Sequence, residues 1–317
     1  MQKRKNVRQQ QSLLGFLTVL MVLSIIVIGL VFIIFNNRIP FASSYDHLTS
    51  DYLTNGSEFI QEQSIVQQSS VITSPSISFI PVNISDITDT GYLVLVNREH
   101  SFSDDSVVSL NSVWPTVPVS VIDGMYLHPT ALQAVADMIG SAREQEVGSF
   151  FVTSGFRSYN HQVMLYDGGA NREFALPPGF SEHHTGLAVD IMTIGISQWE
   201  LASSPEGIWL AENSWRFGLV LRYPEGAESI TGINFEPWHF RYVGAAHAYF
   251  MYKNNLVFEE YIKLIKKEGS LSFTYSDVEY LLLFEQAVNG TLNVPEGFNF
   301  WISNVYSNNY IITAWKE

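Results

Sequence analysis

The chain has 317 residues, a formal charge of −14 and no cysteine. That rules out disulfides and thiolate metal sites, and it argues against a nucleic-acid partner, whose phosphates call for clustered Lys and Arg. The length leaves room for two or three folded units. In chain order, Lys3, Arg4, Lys5 and Arg8 precede an uncharged apolar run from Leu13 to Phe35. As a helix this run extends about 35 Å at roughly 1.5 Å per residue, against a hydrocarbon core of about 30 Å. It is also longer than the roughly 7–15 apolar residues of a cleaved signal peptide. Only Arg38 follows closely, so the positive-inside rule predicts a single-pass signal anchor at 13–35, with a basic cytoplasmic tail at 1–12 and the rest of the chain outside the cell membrane. Residues 36–89 are rich in Ser, Thr, Gln and Asn, with breakers such as Asn55-Gly56 and Ser74-Pro75, and read as an extracytoplasmic stalk. Ile77, Phe79, Ile80 and Val82 could instead supply a short strand that packs on the following unit.

From Tyr92 to Val96 the run YLVLV predicts a buried strand. Pro129 to Glu144 carries Leu132, Val135, Met138 and Ile139 at helical spacing, with His128 as a loop or cap residue just before it. Phe150-Phe151-Val152 is a short strand, and 167–181 is a loop containing Gly168-Gly169 and Pro177-Pro178 that could rim a site. Leu187, Val189 and Ile191 alternate with Ala188, Asp190 and Met192, the period of a strand that turns Asp190 away from the apolar face. Glu206 to Phe217 and Ala245 to Tyr252 read as helices, with a strand at Phe217–Leu221 between them, and His247 is expected to be structural. Phe258 to Lys267 predicts an amphipathic helix. Phe300–Tyr306 and Tyr310–Trp315, joined by Ser307-Asn308-Asn309, predict a hairpin whose aromatics, Trp301 and Trp315 among them, fill a small core.

Two stretches carry chemistry. SEHHTGLAVDI, from Ser181 to Ile191, sets His183 and Asp190 seven apart, and EPWHF, from Glu236 to Phe240, sets Glu236 and His239 three apart. A hydrolytic zinc site needs three ligands from His, Asp or Glu and an open fourth position. His183, Asp190 and His239 supply three, leaving Glu236 as a base for the attacking water. Three-apart residues on a flat strand face opposite sides, so this reading requires a kink near Pro237. Taken by themselves, the same residues are compatible with an ordinary histidine pair beside a strand acid.

SGFRSYNHQ (Ser154–Gln162), SEHHTGLAVD and EPWHFRYVG (Glu236–Gly244) together resemble the VanY-type D-alanyl-D-alanine carboxypeptidases. These belong to a zinc peptidase group that also holds D-Ala-D-Ala dipeptidases and L,D-carboxypeptidases. The similarity covers about Gly91 to Tyr252. It implies an α+β fold, a small antiparallel sheet with flanking helices around a zinc site at 90–255. Beyond it, the pattern of 256–317 reads as a helix and a small β-rich appendage. The resemblance also implies zinc on His183, Asp190 and His239, Glu236 as base, and Arg157 stabilising the oxyanion or clamping a carboxylate. Gln162, Ser181 and Trp238 would contact the substrate, although Ser181 could equally be a capping residue and Trp238 a core residue. The family often has Gln where this chain has His184, so His184 is expected behind the ligands or on the surface. For Arg222 the sequence leaves a substrate carboxylate or a surface position open. The implied activity is removal of the C-terminal D-Ala from peptidoglycan stem peptides ending in D-Ala-D-Ala. Its rivals are an L,D-carboxypeptidase on tetrapeptide stems, a cell-wall endopeptidase, and a non-catalytic wall-binding protein. The last would have lost a ligand or the base, and all four residues are present.

Overall fold

The computed structural model describes residues 77–87, 91–102, 108–120, 124–169 and 174–316. The basic tail, the apolar run at 13–35 and most of the stalk lie outside the described residues, and among the described residues no helix is long and apolar enough to cross a membrane. In chain order the elements are β1 (Phe79–Asn83), β2 (Asn111–Ser112), β3 (Tyr126–Leu127), α1 (Pro129–Glu144), β4 (Phe150–Ser154) and α2 (Tyr159–Asp167). There follow β5 (Ala188–Thr193), α3 (Pro205–Asn213), β6 (Leu219–Leu221), α4 (Glu228–Thr231), β7 (His239–Tyr242), α5 (Ala245–Lys253) and α6 (Phe258–Glu268). The chain ends with β8 (Ser270–Tyr275), β9 (Val278–Gln286), β10 (Thr291–Pro295), β11 (Asn299–Tyr306) and β12 (Asn309–Trp315).

The fold is α+β. Its central sheet has the antiparallel order β4-β5-β7-β6. Helix α1 forms where the periodicity predicts it: Pro129 opens the first turn, and the His128 ring nitrogen Nδ1 accepts from the Thr130 N–H at 3.3 Å. Its buried face, Leu132, Val135, Met138 and Ile139, packs on Val152, Val189, Ile191 and Phe240 from β4, β5 and β7. The helix expected at 206–217 divides, with α3 ending at Asn213 and a tighter turn over Ser214–Phe217 that Gly218 closes in the left-handed region.

The run Tyr92–Val96 is not a strand. Leu93 to Val96 are buried as the apolar pattern predicts, but their backbone finds other partners. The Leu95 N–H donates to the Val305 carbonyl at 2.8 Å, and the carbonyls of Tyr92 and Val94 accept from the Arg241 guanidinium at 3.0 and 2.9 Å. Apolar runs report burial, and here a buried arginine supplies the donors that a neighbouring strand would have provided.

The C-terminal strands form a second antiparallel sheet, β11-β12-β9-β8, while β1 pairs with β10 over Phe79–Asn83 and Thr291–Pro295. The hairpin falls at β11 and β12. Trp301 is half exposed, with its ring against Trp315 and Tyr92. Helix α6 carries acids in its first turn and lysines in its last, which suits the helix dipole. It buries Phe258, Tyr261, Ile262 and Ile265 in a cluster shared by Leu282, Val305 and Ile311 of the C-terminal sheet and by Leu93, Val220 and Val243 of the catalytic unit. The 256–317 region therefore closes one face of the same core, at roughly 1.5–3 kcal/mol for each large apolar side chain buried.

His247 lies within that interface, with Nδ1 2.7 Å from the Tyr261 hydroxyl and Nε2 3.1 Å from the Thr313 hydroxyl. It is structural, as expected. Burial pushes its pKa down to about 3, whereas the ring takes a proton near 6.5 once unfolded. The unfolded state therefore binds more protons between those values, and stability present above pH 6.5 is lost as pH falls toward 3, on the order of 4–5 kcal/mol at the limit. Urea unfolding from pH 6.5 to 4 should show wild-type stability falling more steeply than that of His247→Gln. Equal slopes would remove His247 as the cause.

Candidate metal and active site

The site is built by register. Strands β5 and β7 pair so that Asp190 lies directly opposite His239, and Ser154 on β4 lies opposite Asp190 from the other side. Val189 and Ile191 point into the core, so Asp190 must emerge on the opposite face, where it is half-buried at the pocket floor. His183 comes from a tight turn, Glu182–Thr185, that ends at Gly186 with φ 70°. That left-handed backbone is strained for a residue with a side chain, and a Cβ there would also crowd the His128 backbone nitrogen at 3.2 Å, so glycine suits the passage from the histidine turn into β5. The break required near Glu236 is a turn at Pro237-Trp238 closed by the His239 N–H on the Glu236 carbonyl at 3.2 Å. It brings two residues three apart to the same side just as β7 begins.

The His183 tautomer follows from its hydrogen bonds. His183 Nδ1 donates to the Gly155 carbonyl at 2.7 Å, leaving Nε2 to face Asp190 Oδ2 at 3.5 Å. His239 presents Nδ1 to Asp190 Oδ1 at 3.0 Å and to Glu236 Oε2 at 3.6 Å. One donor atom from each of His183, Asp190 and His239 lies within 4.8 Å of the others. Two imidazole nitrogens and a carboxylate converging in this way suit zinc, and Glu236 borders the set without being needed to complete it.

Electrostatics separate these groups. Burial, with Arg157 nearby, lowers the His183 pKa to about 4 and keeps the ring neutral. Burial would raise Asp190, but His183 and His239 outweigh it and hold the carboxylate ionised. Burial lowers His239, yet the facing Asp190 and Glu182 carry it up to about 9. Glu236 moves the other way, pushed up to about 8 mainly by burial, with Asp190 adding to the rise. Two carboxyls in one pocket thus differ in proton affinity, as acid–base chemistry requires.

The pocket has a volume of about 400 Å³ and is lined by all of these residues together with Arg157, Gln162, Ser181 and Trp238. Arg157 donates from Nη1 to Gln162 Oε1 at 2.8 Å and from Nη2 to Ser154 Oγ at 3.1 Å. Gln162 is fully buried and its amide nitrogen donates to the Leu176 carbonyl at 2.6 Å. Both ends of that amide are committed, so Gln162 bears on the pocket through Arg157. Trp238 is half-buried in an aromatic wall with Phe174 and Trp199, at 5.6–6.2 Å between centroids. His184 is buried, taking the Gly179 N–H at 3.0 Å and donating to the Arg157 carbonyl at 2.6 Å, so it ties the rim loop to the arginine. His161 is exposed on α2.

Two residues depart from the sequence reading. Arg222 is neither on the surface nor in the pocket lining: it is fully buried and bonded to Glu182 and Glu259. Glu182, not singled out by its sequence, is buried against His239, Arg222 and Arg241. No local pattern marks it, because its partners lie about forty and sixty positions away, and only the tertiary fold brings them together.

The profile of the VanY family, described as D-alanyl-D-alanine carboxypeptidase, matches residues 124–245. A D-alanyl-D-alanine carboxypeptidase of Enterococcus faecium is 34% identical over 232 residues, 71% of this chain and 75% of that protein. The chain belongs to the VanY D-alanyl-D-alanine carboxypeptidase family. Like its family, it is a zinc metallocarboxypeptidase. A putative carboxypeptidase of Bacillus subtilis, YodJ, is 33% identical over 55% of this chain and 68% of its own length. Among solved structures, the vancomycin-resistance D,D-dipeptidase VanXYg, in complex with a D-Ala-D-Ala phosphinate analogue, superposes with a TM-score of 0.65 at 25% identity, covering 76% of this chain and 100% of that one. The LD-carboxypeptidase LdcB gives 0.50 at 32% identity, over 53% and 84%.

A ligand that binds only the folded state at a hundredfold excess over its Kd stabilises by about 2.7 kcal/mol. Zinc at that ratio should raise the thermal midpoint of the VanY-family chain, and His183→Ala should abolish the rise. An undiminished rise in that variant would place zinc elsewhere.

Proposed function

We propose that this chain is a membrane-anchored D,D-carboxypeptidase that removes the terminal D-Ala from peptidoglycan stem peptides ending in D-Ala-D-Ala, on the outer side of the cell membrane. The observation that carries the catalytic reading is the convergence of His183 Nε2, Asp190 and His239 Nδ1 beside a Glu236 carboxyl of raised proton affinity. The anchoring rests on the uncharged run Leu13–Phe35 behind Lys3, Arg4, Lys5 and Arg8.

In this reading His183, Asp190 and His239 hold zinc, which supplies Lewis acidity toward water and the scissile carbonyl. Glu236 accepts the proton of the attacking water and returns it to the leaving amine of D-Ala. Arg157, fixed by Gln162 and Ser154, directs its remaining N–H groups at the charge that develops on the carbonyl oxygen. The rings of Trp238, Trp199 and Phe174 offer an apolar wall to small side chains of the substrate. Ser181, buried in the pocket lining, meets a polar group of the substrate in this reading.

The test is the full chain in detergent micelles with pentapeptide and tetrapeptide stems, with and without a chelator, following free D-Ala by mass spectrometry. Chelator-sensitive release from the pentapeptide is expected, and release from the tetrapeptide alone would establish the L,D-reaction instead. Glu236→Gln should keep zinc and lose about 10²–10⁴-fold in kcat. Full turnover in that variant would remove the base assignment. In cells the chain should sediment with membranes and be digested by protease added outside, and a soluble or protected chain would contradict the anchoring.

A further inference from the structure

Behind His239 lies a buried chain of charge that the reaction itself does not use. Glu182 is almost wholly buried, and its Oε1 accepts from Arg222 Nε at 2.9 Å and from Arg241 Nη1 at 3.1 Å. Two buried guanidiniums on a single carboxylate oxygen favour the charged carboxylate. The other carboxylate oxygen, Oε2, has no hydrogen-bond partner, and neither does His239 Nε2. These two buried atoms face each other at 3.6 Å. An ionised oxygen and an imidazole nitrogen left unpaired in the interior each carry a desolvation cost, which a single shared proton removes.

The arginines are in turn fixed from the C-terminal region. Arg222 reaches Glu259 on α6 with both terminal nitrogens, Nη1 to Oε2 at 2.8 Å and Nη2 to Oε1 at 2.6 Å. This is the two-pronged arrangement that holds a guanidinium in one orientation. Asn97 Nδ2 donates to the same Glu259 at 3.1 Å. The guanidinium carbons of Arg222 and Arg241 both lie 5.4 Å from the ring centroid of Phe258, the first residue of α6. The opening turn of α6 therefore supplies a ring and a carboxylate that position both cations against Glu182.

We propose that Glu182 is a positioning residue for the metal: its free oxygen accepts the proton on His239 Nε2, which leaves Nδ1 unprotonated and aimed at the ion, and helix α6 holds Glu182 in place through Arg222. The inference rests on His239 being a zinc ligand through Nδ1. A carboxylate behind a metal-bound imidazole fixes ring orientation and strengthens the ligand. A glutamine at 182 cannot do the same, because its NH₂ group must oppose either the arginine donors or the His239 N–H. The C-terminal region thereby becomes part of the metal site's support, since breaking its contact with Arg222 loosens the residue that orients a ligand.

The experiment measures zinc affinity of the full chain by chelator competition, together with the visible absorption of the cobalt-substituted protein, which reports ligand geometry. Glu182→Gln should weaken zinc by roughly 10–100-fold and shift the cobalt bands. Glu259→Gln on α6 should act in the same direction by a smaller factor. Glu268→Gln, at an exposed ion pair on the same helix, should leave both readouts unchanged. Wild-type affinity and cobalt bands in Glu182→Gln, even with a lower thermal midpoint, would reduce the network to a structural role. Unchanged affinity in Glu259→Gln would sever the link to α6, and that variant decides the matter if Glu182→Gln does not fold. None of these readouts uses a substrate, so failure of the carboxypeptidase reading would show separately, as absent D-Ala release from a protein with normal metal affinity.

Discussion

The pairing of β5 with β7 is the constraint on which the site depends. Because side chains alternate along a strand, a one-residue slip would turn Asp190 into the core and bring Val189 or Ile191 into the pocket. The buried cluster of Val189, Ile191, Phe240 and α1 prevents that slip, since moving it would expose several large apolar side chains at once. The core therefore holds a carboxylate opposite an imidazole at 3.0 Å, a spacing that either a shared proton or a shared cation must relieve. Around this pair the remaining parts need only short local devices. The left-handed Gly186 delivers His183, and the Pro237-Trp238 turn delivers Glu236.

The second sheet and α6 extend that logic outward. A pair of arginines with almost no exposed surface is costly to desolvate unless nearly every N–H finds an acceptor. Here the acceptors come from three places: the Glu182 turn, the carbonyls of Tyr92, Val94 and Tyr242, and Glu259 of α6. The same guanidinium that displaces a ladder at Tyr92–Val96 thus joins the N-terminal edge of the catalytic unit to the region behind the histidines. Fold and site share these residues, so stability and metal geometry are expected to respond together when the network is cut.

Much of this was legible in the sequence, and the parts that were not have physical causes. α1 and α6 carry their own apolar periodicity, and β5 shows alternation beside a metal-binding spacing, so each is readable within a short window. Tyr92–Val96 misled because an apolar run records burial without recording where the backbone bonds go. Arg222 was ambiguous because a charged residue between Leu221 and Tyr223 looks the same whether it points to solvent or into a salt bridge. Glu182 was hidden for the same reason, as its meaning lies in Arg222, Arg241 and His239. The candidate metal residues stood out through their family motifs. Which ring nitrogens they turn toward Asp190, Nε2 of His183 and Nδ1 of His239, follows from the Gly155 carbonyl and the β5–β7 register, and so belongs to the tertiary structure alone.

The measurement that bears most directly on this account is anomalous diffraction at the zinc edge from crystals grown with zinc. The expected result is a single strong peak about 2.0–2.2 Å from His183 Nε2, an Asp190 carboxylate oxygen and His239 Nδ1, with Glu236 outside bonding distance. A peak bonded to Glu236 in place of one of the three, or to His239 through Nε2 with Glu182 turned away, would contradict it.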